Sequence, residues 1–355
     1  MKKIAIRSGI MFFWGLLIFG ALYLPKWRAL KIDTNTINVF VWGDILNGSV
    51  VADFEKKTGI KINLSYYSSN EELIVKMKAT KAEGYDLIIP SDYAVPVLSK
   101  EGLLKPLDKE KFLYWKALNP PLLNHYFDPD NTYSIPFEWE LFGFGIDKDY
   151  FDAHPMSPSW GMLFNPDLIH YKIAMGNDPI DAIAFAGFYL YGDQHSLNAE
   201  QAKEVKRTLK AQRPFVSVYA NFRADYFLAT RNVSLVLAST SYIWRAKQFC
   251  DFVKFVIPKE GTFMVIENFC IPKPSTKEDL VFQFINHLCS KESVVAHFKS
   301  QFLFPATTHA LPELLLDKDA ASLLLSTKDD FKRYHLIRSV LPEKETRDIW
   351  IDVKS

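Results

Sequence analysis

Between residues 37 and 93 the chain alternates strand and helix signals, and that alternation restricts the fold more than any other feature. Ile37-Asn38-Val39-Phe40-Val41-Trp42 reads as a strand broken by Gly43-Asp44. Residues 47–57 carry Val50, Val51 and Phe54 at helical spacing and end at Thr58-Gly59, a C-cap glycine. Ile60 to Tyr66 alternates like a second strand. A helix then opens at Ser69-Asn70-Glu71-Glu72 and closes near Gly84, and Leu87-Ile88-Ile89 forms a third strand that stops at Pro90. A βαβαβ unit at this spacing requires a parallel sheet with helices on both faces, so the fold class is α/β. The third strand is apolar throughout, as a strand buried on both faces must be. Ligands sit at the loop leaving the carboxyl end of such a strand, and here that loop is Ser91-Asp92-Tyr93.

A chain of 355 residues exceeds one core and predicts two domains of roughly 150 residues each. Thr132–Pro136 and Leu141–Ile146 read as two strands separated by Phe137-Glu138-Trp139-Glu140. Ile173-Ala174-Met175 is a short strand running into Gly176-Asn177-Asp178, and a helix follows from Pro179 to Tyr191. Asn198 starts another helix, residues 233–238, 252–257 and 262–272 read as strands, and 276–299 reads as one helix. The βα units before and after residue 142 describe a two-lobed protein.

The first 31 residues contain Lys2, Lys3, Arg7, Lys26, Arg28 and Lys31 but no acid, and enclose 15 uncharged residues from Ile10 to Leu24. This pattern predicts a secretory signal, or a signal anchor, since the small-x-small cleavage pattern is poor. The apolar run is short beside the roughly 20 residues of a spanning helix. No cysteine lies near it, which excludes lipid attachment there. Without this segment the net charge falls from +1 to 36 − 41 = −5, which argues against a nucleic-acid partner. Cys250, Cys270 and Cys289 are odd in number and lack metal spacing, so buried thiols and no essential disulfide are expected. The eight histidines are scattered, Gly43, Gly143 and Gly145 form no phosphate loop, and no catalytic constellation stands out. Neither a cofactor nor catalysis is expected.

The segments VFVWGDILNGSVVADFEKKTGIKINLSYYSSNEEL (39–73), GYDLIIPSDYAV (84–95), FDPDNTYSIPFEW (127–139), PKEGTFMVIENFCIP (258–272) and LFPATT (303–308) resemble, in that order and spacing, bacterial spermidine/putrescine-binding proteins. Those are the periplasmic receptors of polyamine ABC transporters, and the likeness covers about residues 37–310. The resemblance implies a two-lobed periplasmic-binding-protein fold of type II kind, with a ligand cleft between lobes joined by crossing strands. One lobe would hold 34–142 plus 264–312, the other 143–263 plus 313–355. It further implies an exported, monomeric receptor that captures a polyamine and hands it to permease subunits in the inner membrane.

Carried over by position, the resemblance makes Trp42, Ser91, Tyr93, Asp178, Asp181 and Glu267 ligand-binding residues, with Trp139 a replacement wall near the hinge. Carboxylates suit ammonium groups, because a buried cation needs a paired anion. Several rings of the family wall are replaced, by Ile45, Ser239, Val265 and Phe304. Two other readings therefore stand beside polyamine capture. One keeps the fold but binds another small amine, an amino acid or a peptide. The other is a membrane-tethered sensor or interaction protein. Without the resemblance, Asp178 and Asp181 read as a helix N-cap and a first-turn acid. Tyr66-Tyr67 resembles the paired tyrosines of periplasmic iron-binding proteins, but it sits on a first-lobe strand and iron is rejected.

Overall fold

The computed structural model describes residues 13–14, 35–43, 45–220, 223–315 and 318–355. The chain divides into Met1–Thr36 and Ile37–Ser355. The leader expected over residues 1–31 lies outside the described residues except for Phe13 and Trp14, which are helical. Among the described residues no helix is long and apolar enough to cross a membrane.

The opening unit forms as its sequence requires. Strand β1 (Thr36–Trp42) is followed by helix α1 (Gly48–Thr58), β2 (Lys61–Tyr67), α2 (Asn70–Thr80) and β3 (Leu87–Ile89). Asn47 caps α1 by accepting the N–H of Ser49 at 2.8 Å, and Gly59 ends it at φ +71°, where a side chain would be strained. Helix α2 stops at Thr80, earlier than expected, because Lys81 and Ala82 already turn left-handed. The strands order β2-β1-β3, with Val39–Val41 parallel to Leu87–Ile89.

The largest departure from expectation is β4 (Ile135–Asp147), a single 13-residue strand where two were predicted. Phe137, Trp139 and Leu141 join the first core, while Glu138 and Glu140 sit in the intervening places, 3% and 8% exposed. Two buried acids inside a strand look like a break in sequence. They are tolerated because each has a partner: His297 pairs with Glu138, and the N–H of Ser241 donates to Glu140 at 3.1 Å.

Strands β5 (Ile173–Met175), β6 (Val216–Tyr219), β7 (Leu235–Ser239), β8 (Val253–Val256) and β9 (Thr262–Phe269) follow, with β10 (Phe304–Pro305) and β11 (Tyr334–Leu336) near the end. They form one sheet in the order β11-β9-β4-β7-β5-β6, with β8 and β10 also on β4. Helix α3 (Pro179–Tyr191) follows β5, and α4 (Thr240–Lys247) follows β7 directly. The stretch predicted as one helix over 276–299 is two, α5 (Glu278–Leu288) and α6 (Lys291–Gln301). Ser290 has extended backbone and caps α6, which breaks the run.

Two large cores result. The first draws on Phe54, Leu73, Ile88, Trp139, Phe269 and Phe284, and the second on Phe144, Trp160, Phe185, Phe263 and Trp350. The division falls between Leu141 and Phe144 on β4 and between Phe263 and Met264 on β9. Leu314, Leu323 and Leu324 pack into the first core, although the boundary read from the sequence put 313–355 with the second lobe. All three cysteines are free; Cys270 and Cys289 are buried, whereas Cys250 is only partly so.

Strand β4 runs antiparallel to β9 from Ile135 to Leu141, to β7 from Phe142 and to β8 from Phe144, so it crosses from one core to the other. At the second half a β-carbon on Gly143 would overlap the Phe255 ring and lie 3.0 Å from the carbonyl of Val256. Gly143→Ala is therefore expected to destabilise the fold by about 1–3 kcal/mol through overpacking, read as a lower urea midpoint with an unchanged m-value.

Candidate functional site

A cavity of about 150 Å³ lies between the two cores and opens to solvent. Its floor is the sheet face of β4 and β9, where Glu140 stands opposite Val265 and Glu138 opposite Glu267. One wall comes from β1 and β3, the other from α3 and the end of β7.

The Ser91 loop takes its place from β3. Ile88 exchanges both backbone hydrogen bonds with Cys270 at 2.9 Å, and the N–H of Asn268 donates to the carbonyl of Pro90 at 2.9 Å. This ladder brings Ser91 beside Glu267. The Ser91 hydroxyl donates to Glu267 Oε1 at 2.7 Å and accepts from Asn70 Nδ2 at 3.0 Å. Glu267 is 5% exposed, and its other oxygen, Oε2, has no hydrogen-bond partner. Burial pushes its carboxyl well above the usual range, against the pull of the Ser91 hydrogen bond.

Asp92 is fully buried behind this loop and does not line the cavity. Its Oδ1 accepts the N–H of Tyr93 at 2.7 Å, and burial pushes its pKa up to about 8. Tyr93 is half-buried, lines the cavity and donates its hydroxyl to Glu71 Oε1 at 3.1 Å. Trp42 lines it from the end of β1, held edge-on against Tyr67 at 5.4 Å between ring centroids. Tyr67 is itself fixed by donating to the carbonyl of Ile89 at 2.7 Å, while Tyr66 points outward, 56% exposed.

The opposite wall carries the acidic pair. Asp178 caps α3 by accepting the N–H groups of Ile180 at 2.8 Å and Asp181 at 3.2 Å. The capping reading is thus correct for Asp178, and the same carboxylate also lines the cavity. Burial, then repulsion from Glu71, raises its pKa to about 6. Asp181 lines the cavity one helical step on and is raised well above the usual range by burial and by Asp178. Three acids of like sign, Glu71 from one wall and Asp178 and Asp181 from the other, thus act on one another across the opening.

Six of the seven residues singled out from the sequence line this one cavity. The seventh, Trp139, does not. It is 1% exposed, packed against Phe304 at 5.0 Å and Phe331 at 5.3 Å, on the strand face away from the floor. Strand alternation is the reason, since neighbours of Glu138 and Glu140 must point to the other side. Phe304 is core for the same reason, whereas Ile45, Ser239 and Val265 do line the cavity. Glu140, Asn70 and Tyr242 also line it and were missed. The period-two spacing of Glu138 and Glu140 within an apolar run was the signal for the first.

The carboxyls of Asp92, Asp178, Asp181 and Glu267 hold their protons more tightly in the folded protein than in the unfolded chain. Their cost to the ligand-free fold therefore begins above about pH 4 and, for Asp92, grows until about pH 8. Asp92→Asn is expected to unfold at a higher urea concentration than the natural protein at pH 8, with the difference closing toward pH 4. Urea midpoints at the two pH values measure it.

The model of the bacterial extracellular solute-binding proteins matches residues 49–322. The spermidine/putrescine-binding periplasmic protein of Escherichia coli (strain K12) is 30% identical over 280 residues, 77% of this chain and 78% of that protein. The putrescine-binding periplasmic protein PotF of the same organism is 28% identical over 318 residues, 84% of this chain and 85% of that one. Among solved structures, the spermidine/putrescine ABC transporter substrate-binding protein PotD of Streptococcus pneumoniae superposes with a TM-score of 0.76 at 22% identity, covering 90% of this chain and 98% of that one. At that identity the likeness concerns the fold, which is two α/β lobes hung on crossing strands with the cleft between them.

Proposed function

This chain belongs to the bacterial extracellular solute-binding proteins, and on that premise we propose that it captures polyamines of the spermidine and putrescine kind and delivers them to the permease of an ABC transporter. The observation that carries the reading is the buried Glu267 carboxylate, with one oxygen unpartnered beside the cavity, facing a second wall that bears Asp178 and Asp181. A cleft whose acids are short of counter-charge is built for a ligand that brings cations to both sides.

The energetics are adequate. A hydrogen bond between an ammonium and a carboxylate contributes about 1.5–3 kcal/mol. A cation over the Trp42 or Tyr93 ring adds about 0.5–2 kcal/mol. A few such contacts exceed the cost of association and approach the roughly −8 kcal/mol of a micromolar complex. The methylene chain of the ligand meets Ile45, Phe142 and Val265 along the floor and walls. Without cation, Glu71 repels Asp178 and Asp181, which favours parted lobes. An ammonium between them reverses the sign of that force and favours closure. The lobes are residues 34–142 with 264–312 and 143–263 with the chain from Ile337 onward, Leu314, Leu323 and Leu324 packing with the first, and they turn about β4 and β9. The receptor performs no chemistry on its ligand. It works outside the inner membrane as a monomer, with residues 1–31 serving as signal peptide or anchor.

A second reading has a specific support: Ser239 and Val265 line the cavity with small side chains, which leaves room for a bulkier amine, an amino acid or a peptide.

Asp178→Asn tests the first reading, because Asn caps a helix as well as Asp and so removes charge without unseating α3. Calorimetry should show at least a tenfold loss of putrescine and spermidine affinity. In the natural protein affinity should fall as pH drops through about 6, where Asp178 takes up its proton. A polyamine at 100 times its dissociation constant should stabilise the fold by about 2.7 kcal/mol, visible as a melting shift. No heat and no shift with putrescine, spermidine or spermine would overturn the polyamine reading in favour of the second.

A further inference from the structure

Glu140 lies where β4 exchanges partners. Its neighbour Leu141 is the last residue paired to β9, and Phe142 is the first paired to β7. The side chain lines the cavity floor and is 8% exposed. One carboxylate oxygen, Oε2, accepts the N–H of Ser241 in the first turn of α4, where the helix dipole favours negative charge. The residue directly opposite on β9 is Val265, and Ser239 stands opposite Phe142 on β7. Both are small and line the same cavity, so no large ring lies over the carboxylate from either strand. Ser239 and Ser241 are engaged with each other, their hydroxyl oxygens 3.2 Å apart. Among the described residues no Lys or Arg pairs with Glu140.

The cleft therefore holds acids at three places: Asp178 and Asp181 on α3, Glu267 beside Ser91, and Glu140 at the strand crossing. Glu267 supplies the sign of a ligand site independently of the cluster, since its Oε2 is buried beside the cavity without a partner. A diamine has two ammonium groups. Seated on Glu267 and on the α3 pair, it would leave Glu140 enclosed without a cation when the lobes meet, and an uncompensated buried charge is costly. A third amino group along the chain removes that cost.

We propose that Glu140 is a third cation station, so that the cleft selects an aliphatic triamine over a diamine. The inference rests on the polyamine reading above and names the ligand subclass for that site. Its position at the crossing of β4 also places this station on the strand about which the lobes turn.

Glu140→Gln is the test, because the amide oxygen still accepts the N–H of Ser241 and the side-chain volume is kept. Calorimetry with spermidine and with putrescine, on both the natural protein and the variant, gives four affinities. The natural protein should bind spermidine more tightly. The variant should lose at least tenfold for spermidine, equivalent to about 1.4 kcal/mol, and no more than about threefold for putrescine. Equal losses for both ligands, or no loss for either, would overturn the third station while leaving polyamine capture intact. Absence of binding by the natural protein would overturn the polyamine reading itself, and the station with it. Should Glu140→Gln melt well below the natural protein, Glu140→Asp keeps the charge and draws it back by one methylene. Spermidine affinity should then fall more than putrescine affinity, and an unchanged ratio counts against the station.

Discussion

Everything in the cleft depends on the backbone pairing of β9. Along one edge β9 is bonded antiparallel to β4 from Ile135 to Leu141, and its far end is bonded to the strand-and-loop segment from Ile88 to Pro90. One short strand is thereby tied to the crossing pair and to the opening βαβαβ unit at once. The register fixes Glu267 opposite Glu138 and next to Ser91. Side chains alternate with period two, so a slip of one residue would turn Glu267 into the apolar core and Ile266 into the cavity. The apolar set on the other face of β9 guards against that slip, since Met264 and Ile266 are buried.

The crossing strands bury three glutamates on one face, and the fold treats them in three ways. Glu138 is answered inside the protein. The backbone N–H of Asn47 donates to His297 Nε2 at 2.9 Å, so the imidazole hydrogen is on Nδ1 and points at Glu138. The same contact ties β4 to α6 and to the start of α1, and it turns a liability into an anchor for the strand. Glu140 is half answered, by one backbone N–H. Glu267 is answered only by the Ser91 hydroxyl, and one of its oxygens is left without a partner. Glu267 stands directly opposite Glu138, yet His297 answers only one of the two, so the counter-charge the protein supplies differs from one carboxyl to the next. On the proposed reading a cationic ligand completes what the chain leaves undone at Glu140 and Glu267.

The same dependence on distant partners separates what the residues mark locally from what they do not. Trp42, Ser91, Tyr93 and Asp178 sit at strand ends or a helix start, places that local sequence marks with Pro, Gly and capping residues. Their convergence on one cavity follows from the parallel α/β layout. Glu138 and Glu140 sit mid-strand, where burial is not written locally. His297 lies 159 residues from its partner and Ser241 101 residues from its own. No nearby residue announces that an acid can stay inside a strand, so the segment looked like a break and the conspicuous tryptophan drew the attention that belonged to its neighbours.

By itself, then, the sequence determined the βαβαβ opening, the α/β class, the caps of the first helices and the loop where a ligand would meet them, because apolar period and capping chemistry are local. Tertiary structure alone decided that residues 135–147 run as one strand, that Trp139 faces the core, and that Glu140 faces the cleft. Those outcomes turn on which distant groups satisfy a buried charge, and that satisfaction exists only once the two lobes share the same pair of crossing strands.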